Sequence, residues 1–292
     1  MWPMIESLPD QYRWAAAVDA PEVPPSTSVL VCGMGGSGIS GDFVQAAVAK
    51  HPVDVRIHKD YGLPGWTSNL RPLVIAVSYS GNTAETLSSL RDAISLELPI
   101  AVVSTGGEAM AIADDRELPQ LIVPPGLQPR AAIGYLSGAV LRLVGRSAGL
   151  SDTHTMLEEA ADLTGGMLDD EETRKEAREI AAKLSGRLPV IWGSRGPAEV
   201  AAQRWAKQMH ENAKTPAYWS TIPELDHNEL VGWAASHHGV GRSTGIVMLR
   251  DRAERPEISD RFALTSDLLS DASFVAGEVW SAGESELART AG

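Results

Sequence analysis

Val74-Ile75-Ala76-Val77-Ser78-Tyr79-Ser80-Gly81-Asn82-Thr83-Ala84-Glu85-Thr86-Leu87 decides how the chain is read. Four apolar residues in a row predict a buried parallel strand. A turn of hydroxyls and glycine follows, and a helical pattern opens behind it. Ser78, Ser80 and Thr83 put three hydroxyls within six positions, beside a helix N-terminus whose first N–H groups lack intrahelical partners and whose dipole is positive. That combination suits a phosphate dianion without a lysine. It suits equally a helix cap, with Ser80 or Thr83 capping and the other hydroxyls in water.

Working outward, Val29-Leu30-Val31-Cys32-Gly33-Met34-Gly35-Gly36-Ser37-Gly38-Ile39-Ser40-Gly41 repeats the plan of strand, Gly-rich turn and helix. Two such turns at neighbouring strand ends can meet on one ligand, where open parallel sheets bind theirs. The two turns, GMGGSG at 33–38 and SYSGNT at 78–83, resemble the sugar-isomerase (SIS) domain. With the motifs described below, the chain resembles the bifunctional phosphoglucose/phosphomannose isomerases from about Leu8 to its C-terminus. The resemblance implies two pseudo-repeated α/β domains, each a doubly wound, mostly parallel sheet flanked by helices. It also implies that Gly36, Ser37, Ser78, Ser80 and Thr83 hold the phosphate of a sugar.

Length and composition agree. A chain of 292 residues with 43% hydrophobic content fills one large domain or two ordinary ones. The net charge of −13 argues against a nucleic-acid partner, which needs a basic face. It also requires any phosphate site to be made locally positive or neutral by backbone donors. The one cysteine, Cys32, lies in a predicted buried strand. It excludes a disulfide within the monomer and points to the cytoplasm; a buried structural thiol is its expected role. No His or Cys spacing suggests a metal, and no run is long and apolar enough for a membrane span. Glu6 and Asp10, with no basic start, do not read as a signal peptide.

Along the chain, residues 1–20 read as a helix and 19–26 as a Pro-rich connector, so that 1–26 precede the first domain. Strands are predicted at Ser28–Cys32, Val53–His58, Leu73–Val77, Ile100–Ser104 and Leu121–Val123, with helices near 38–50, 83–95, 108–114 and 130–144. Strands alternating with helices imply a doubly wound sheet over 27–148. Residues 149–170, polar and acidic, read as a linker, although Met156–Leu163 also fits a helix. The second domain, 171–292, opens with a charged, solvated helix at Glu171–Leu184. Pro189–Glu199 then repeats the strand, Gly turn and helix start of the first half, with Pro197 suited to a first helical turn. A later strand is predicted at Gly245–Arg250 and a helix near Ser266–Leu269.

Three further motifs carry the resemblance. Pro124-Pro125-Gly126-Leu127-Gln128-Pro129-Arg130-Ala131-Ala132 matches the family segment with an active-site arginine, at Arg130. A cation there would stabilise charge developing on enediolate oxygens. Read alone, Arg130 is a surface residue in the first turn of a helix, where a cation opposes the dipole. Arg204–Ala217 matches the catalytic-glutamate motif at Glu211, whose implied role is general base. Without that motif Glu211 is a helix-end carboxylate, and His210 beside it has no implied role. Tyr218–Trp233 contains PELDHNE at 223–229, which implies that His227 serves in ring opening and reaches the site from the other subunit of a homodimer. His237 and His238 read as loop residues.

The implied activity is a metal-independent, cofactor-free aldose–ketose isomerase acting on glucose 6-phosphate, mannose 6-phosphate and fructose 6-phosphate through a cis-enediol. Two departures bear on it. Ala84 stands where the family commonly has an acidic residue. The family also continues past a segment like Gly283–Arg289 into a long apolar helix with a catalytic lysine near its end, whereas this sequence stops at Gly292 and its last lysine is Lys214. The expectation is a C-terminally short second domain with no residue in the lysine's role. The alternative is a non-catalytic sugar-phosphate sensor; a third reading, other SIS chemistry on amino-sugar or pentulose phosphates, is opposed by the 223–231 motif.

Overall fold

In the computed structural model, which describes residues 2–235, 240–269 and 273–292, the chain divides into two compact units, Met1–Gly165 and Gly166–Gly292. The N-terminal unit begins with α1 (Trp2–Glu6) and α2 (Leu8–Ala17), so the helix read over 1–20 breaks at Ser7, two residues before Pro9. It continues with β1 (Ser28–Cys32), α3 (Gly35–Ala47), β2 (Asp54–His58), α4 (Thr67–Leu70), β3 (Leu73–Ser78), α5 (Ala84–Ser95), β4 (Ile100–Ser104), α6 (Gly107–Asp115), β5 (Gln120–Ile122) and α7 (Ile133–Ala148). α8 (Thr153–Asp169) crosses the boundary between the units.

Every position of β3 is buried, as an uninterrupted apolar run requires when helices cover both faces. The sheet is parallel throughout, in the order β2-β1-β3-β4-β5. One face, with Leu30, Cys32, Val74, Ala76 and Val102, packs on Leu87, Leu90 and Ala93 of α5 and on Ala109, Met110 and Ala113 of α6. On the opposite face Gly41 of α3 lies against Val31 and Ile57. The chain therefore leaves β1 toward one edge and returns to start β3 on the other side. The β1/β3 boundary is the switch point at which such sheets open a crevice.

Burial pushes the Cys32 thiol up to about 12, opposed only by a weaker hydrogen bond with Ser89. The thiolate is the reactive form, so the folded protein should resist a thiol-labelling reagent at pH 8 and label fully once unfolded. Rapid labelling of the native chain would contradict the packing described here.

The C-terminal unit holds α9 (Glu171–Leu184), β6 (Leu188–Ser194), α10 (Pro197–Gln208), β7 (Tyr218–Ile222), α11 (Glu224–Ala234), α12 (Val240–Ser243), β8 (Thr244–Arg250), α13 (Pro256–Leu269), β9 (Val275–Trp280) and α14 (Glu286–Ala291). Its parallel sheet runs β7-β6-β8-β9, the order of the first four strands of the N-terminal unit. Ile191 and Val247 face α9 and α10 through Ile180, Leu184, Ala198 and Ala202. Val190, Trp192 and Met248 face α11 and α13 through Leu225, Phe262 and Leu269. At the end of β8, Arg250 is 7% exposed; it pairs with Glu254 and lies 4.2 Å from the ring centres of both Phe262 and Trp280. Stacking on two aromatic faces and ion pairing together let a guanidinium sit inside.

Several expectations are corrected. The stretch 149–170, which contains the boundary between the units, is mostly α8, longer than the helix allowed at Met156–Leu163, because Met156, Leu157, Ala160, Ala161 and Thr164 recur at helical spacing and are buried. α13 starts at Pro256, ten residues before the predicted helix. β5 is shifted one residue earlier than predicted, while the Val123 N–H still donates to the Ser104 carbonyl. Arg130 lies in a 3₁₀ turn, Pro129–Ala131, ahead of α7 and not in its first turn. His237 and His238 fall outside the described residues. No helix among the described residues is long and apolar enough to cross a membrane.

Candidate active site

The β1–α3 and β3–α5 turns stand side by side at the switch point. α3 begins at Gly35, and its N-cap residue, Met34, offers no side-chain bond to the first turn. α5 has Thr83 at its N-cap, and the Thr83 hydroxyl does not bond the helix either. It lies 2.9 Å from the Ser78 Oγ instead. The Ser80 hydroxyl accepts from the Asn82 N–H ahead of the helix. Two helix N-termini thus meet with their leading N–H groups uncapped by side chains, a ready acceptor for an anion.

The turns are held in register by hydrogen bonds. Ser37, 5% exposed, accepts from the Tyr79 N–H at 3.1 Å. Ser37 therefore ties one turn to the other. Gly81, at φ +72°, lies so close to the β4–α6 turn that a Cβ would stand 1.8 Å from the Gly106 carbonyl oxygen. The Asn82 Oδ1 accepts from the Glu108 N–H at 3.0 Å. Thr105 donates from its N–H and hydroxyl to the Tyr79 carbonyl. The Tyr79 hydroxyl donates to the Pro124 carbonyl at 2.9 Å and accepts from the Leu127 N–H at 3.0 Å. Burial raises the Tyr79 pKa, with the Leu127 bond pulling the other way, so the phenol stays protonated and able to donate.

Gly36 brings Arg130 to this cradle. A Cβ on Gly36 would lie 2.6 Å from the Pro129 oxygen and 2.9 Å from the Arg130 nitrogen. Only glycine lets the 3₁₀ turn rest on the first turn of α3. Gly36, Ser37, Ser78, Ser80, Thr83 and the main chain of Arg130 are thereby gathered beyond the C-terminal ends of β1 and β3, at the switch point of the N-terminal sheet.

Sequence reasoning passed over Lys59. It follows β2, and its Cε would stand 3.2 Å from a Cβ on Gly38, so its stem crosses the opening turn of α3. Its ammonium pairs with Asp42, further along the same helix. Both side chains are half-buried, so the pair is partly screened. Without Lys59, the Asp42 charge would be left uncompensated one helical turn beyond Gly38. Lys59→Gln should raise KM for a phosphorylated substrate roughly 3- to 10-fold with kcat little changed, and Lys59→Gln with Asp42→Asn should recover the wild-type KM. Failure of the double variant to recover would show that Lys59 acts in another way.

In the C-terminal unit, Glu211 lies in a π-helical turn, Met209–Ala213, that continues α10. Such turns recur at functional positions. Glu211 is half-buried, and its main-chain carbonyl accepts from the Lys214 Nζ at 2.8 Å. His210 bonds the Ala217 carbonyl through Nε2 at 2.8 Å, a structural tie. His227 is exposed in the first turn of α11. Its neighbour Asp226 turns inward to Arg261 and Thr265 of α13, each at 3.2 Å; spacing alone could not reveal that partnership across 35 residues. Glu229 accepts from the Ser220 hydroxyl of β7. Asp226 and Glu229 thus seat α11 and leave His227 outward. Within this unit Glu211 and His227 are not brought together: one precedes β7 and the other follows it, beyond opposite ends of a strand roughly 13 Å long.

Among the described residues no cluster of three His, Cys, Asp or Glu side chains is placed to hold a metal.

The fold is shared with phosphosugar proteins of known structure. The C-terminal domain of glucosamine-fructose-6-phosphate aminotransferase from Francisella tularensis superposes with a TM-score of 0.69 at 16% identity, covering 99% of this chain and 91% of that one. Tagatose-6-phosphate ketose/aldose isomerase from Escherichia coli does so with a TM-score of 0.68 at 13% identity, covering 98% and 82%. These define the class, the double SIS fold. Residues 173–292 match the model of the bacterial phospho-glucose isomerase C-terminal SIS domain. The chain is 35% identical over 267 residues to a bifunctional phosphoglucose/phosphomannose isomerase of Caldicellulosiruptor bescii, covering 89% of this chain and 78% of the relative. It is 30% identical over 293 residues to one of Aquifex aeolicus, covering 99% and 87%. A D-glucosamine-6-phosphate 4-epimerase of Sulfolobus acidocaldarius is 32% identical over 220 residues, covering 75% and 68%. The chain belongs to the bifunctional phosphoglucose/phosphomannose isomerase family, and it is an enzyme of the isomerase class.

Proposed function

We propose that the chain interconverts fructose 6-phosphate with glucose 6-phosphate and mannose 6-phosphate by proton transfer through a cis-enediol, without a metal. The observation that carries this is the pair of helix N-termini at the β1/β3 switch point, both without side-chain caps and lined by Ser37, Ser78, Ser80 and Thr83. They receive the phosphate. Family membership supplies the chemistry at the other end of the sugar. Glu211 takes the proton from C2 of the open-chain aldose and returns it to C1, giving the ketose; the reverse transfer, delivered to either face of C2, gives glucose or mannose 6-phosphate. The half-buried position of Glu211 suits a carboxylate base. Arg130 stabilises the negative charge on the enediolate oxygens.

His227 moves the proton that opens the pyranose ring. Its outward position, beyond the far end of β7 from Glu211, supports service to the site of a second copy, in a homodimer. The buried free Cys32 fits a reducing compartment, the cytoplasm.

The test is conversion of fructose 6-phosphate by the purified chain with a chelator present, reading glucose 6-phosphate and mannose 6-phosphate separately, with glucosamine 6-phosphate as a further substrate. Both aldoses should form. Turnover of glucosamine 6-phosphate alone would replace this reading with epimerase chemistry. A folded sample stabilised by fructose 6-phosphate but without turnover would replace it with that of a sensor.

A further inference from the structure

Glu211 sits in a turn that ordinary helix geometry does not hold. Met209–Ala213 is π-helical, a local departure from the i→i−4 ladder. The chain reverses at Lys214, at φ +55°, and enters β7 at Tyr218. Most of the bonds along this segment close within it. The Thr215 N–H donates to the Met209 carbonyl and the Thr215 hydroxyl to the Ala213 carbonyl, each at 3.2 Å. Lys214 Nζ donates to the Glu211 carbonyl at 2.8 Å.

Two side chains just ahead of Glu211 reach outside the turn. Met209 packs on the core cluster of the C-terminal unit that includes Ile191, Ala202 and Val247. His210 bonds the Ala217 carbonyl through Nε2 at 2.8 Å. Ala217 is 2% exposed and directly precedes Tyr218, which pairs with Val190 of β6. The acceptor is therefore fixed by the sheet, and the bond closes over the whole 211–216 segment.

A carbonyl only accepts, so Nε2 carries the proton, and the bond holds whether the ring is neutral or charged. A side chain with an N–H at the same reach can replace it. Glutamine places its amide nitrogen where the ring has Nε2; asparagine places its own where the ring has Nδ1 and falls one bond short. His210 is exposed, so the bond adds little to stability. What it sets is position, and a displacement near 1 Å at a reacting group can reduce rate about 10²-fold.

We propose that His210 is a positioning residue for the isomerisation: its bond to the head of β7 fixes the π-helical turn and with it the place of the Glu211 carboxylate. This rests on the reading of Glu211 as the base. The experiment measures kcat and KM for fructose 6-phosphate, with the melting temperature as a check on folding. The variants are His210→Asn, His210→Gln, Glu211→Gln, and Glu211→Gln combined with His210→Asn.

His210→Asn should lower kcat about 10- to 100-fold with KM within about threefold of wild type and a melting temperature within about 3 °C. His210→Gln should restore kcat to within about threefold. In the Glu211→Gln background, where there is no base left to position, His210→Asn should lower kcat by less than about threefold more. Wild-type kcat in His210→Asn, while Glu211→Gln loses turnover, would overturn the proposal and leave Glu211 as the base. So would equal losses in the asparagine and glutamine variants, a loss carried by KM, an unfolded His210→Asn, or the same fold-loss with and without the Glu211 carboxylate. Wild-type turnover in Glu211→Gln would remove Glu211 from the mechanism and this inference with it.

Discussion

Glu211→Gln should lower kcat for fructose 6-phosphate by about 10²- to 10⁴-fold, the range a positioned general base contributes, while the sugar phosphate still binds within about threefold of wild type. The substitution keeps the size and shape of the side chain and removes only its basicity. The bond from Lys214 Nζ to the Glu211 main-chain carbonyl does not involve the carboxylate, and the proposed phosphate cradle belongs to the other unit. A variant that binds but does not turn over therefore isolates the chemical step. Measuring kcat and the dissociation constant on one preparation decides the matter; unchanged kcat would remove Glu211 from the mechanism.

Gly36→Ala should be nearly as damaging for a different reason. Alanine is favoured over glycine inside a helix by about 1 kcal/mol, so a change confined to the helix would stabilise the protein. Here the added methyl would stand 2.6 Å from the Pro129 oxygen, 2.7 Å from the Pro129 carbonyl carbon and 2.9 Å from the Arg130 nitrogen. All three are main-chain atoms and cannot swing aside like a flexible side chain. Either the 3₁₀ turn lifts or α3 tilts, and Arg130 and the cradle part company. Overpacking of this kind costs about 1–3 kcal/mol, and a displacement near 1 Å at a site can reduce rate about 10²-fold. The expected result is a lower melting temperature with kcat/KM reduced about 10²-fold. Gly65→Ala, at an exposed position with open space around it, is the control and should match wild type. Wild-type kcat/KM in Gly36→Ala would show that the contact between the turn and α3 does not position Arg130.

The two strand–turn–helix units behind the proposed cradle were legible because their information is local. Strand, turn and helix start follow one another within 14 residues in Val74–Leu87, and hydroxyls at a helix start leave few physical options. Harder features depend on distant partners. The polar, exposed neighbours in Tyr218–Ile222 and the Gly277-Glu278 pair in β9 belong to the edge strands of the second sheet, where one side is unpaired and the apolar signal is diluted. The front of α13 hides among Glu257, Asp260 and Arg261, although Phe262 is fully buried. In α8, Gly165-Gly166 and the acidic residues outweighed an apolar stripe that a helical count recovers. Asp226 stands beside His227 in the sequence with nothing local to show its role; Arg261 and Thr265 make it an anchor. Lys59 escaped because its relevance comes from crossing a helix that the sequence places some 20 residues away.

Tyr79 spends its polar groups on three separate segments: its N–H on Ser37, its carbonyl on Thr105, and its hydroxyl on Pro124 and Leu127. The last two contacts are to main-chain atoms, which residues 124 and 127 present whatever their side chains, proline at 127 excepted. With Gly126 kept for its φ of +102°, the loop is therefore open to drift in side-chain identity but closed to change in length. An inserted or deleted residue would carry its carbonyl and N–H away from the phenol and release the segment leading to Arg130. A library that randomises 124, 125 and 127 without proline at 127, keeping Gly126 and the length, should yield many folded, working members, and one that varies the length should yield few.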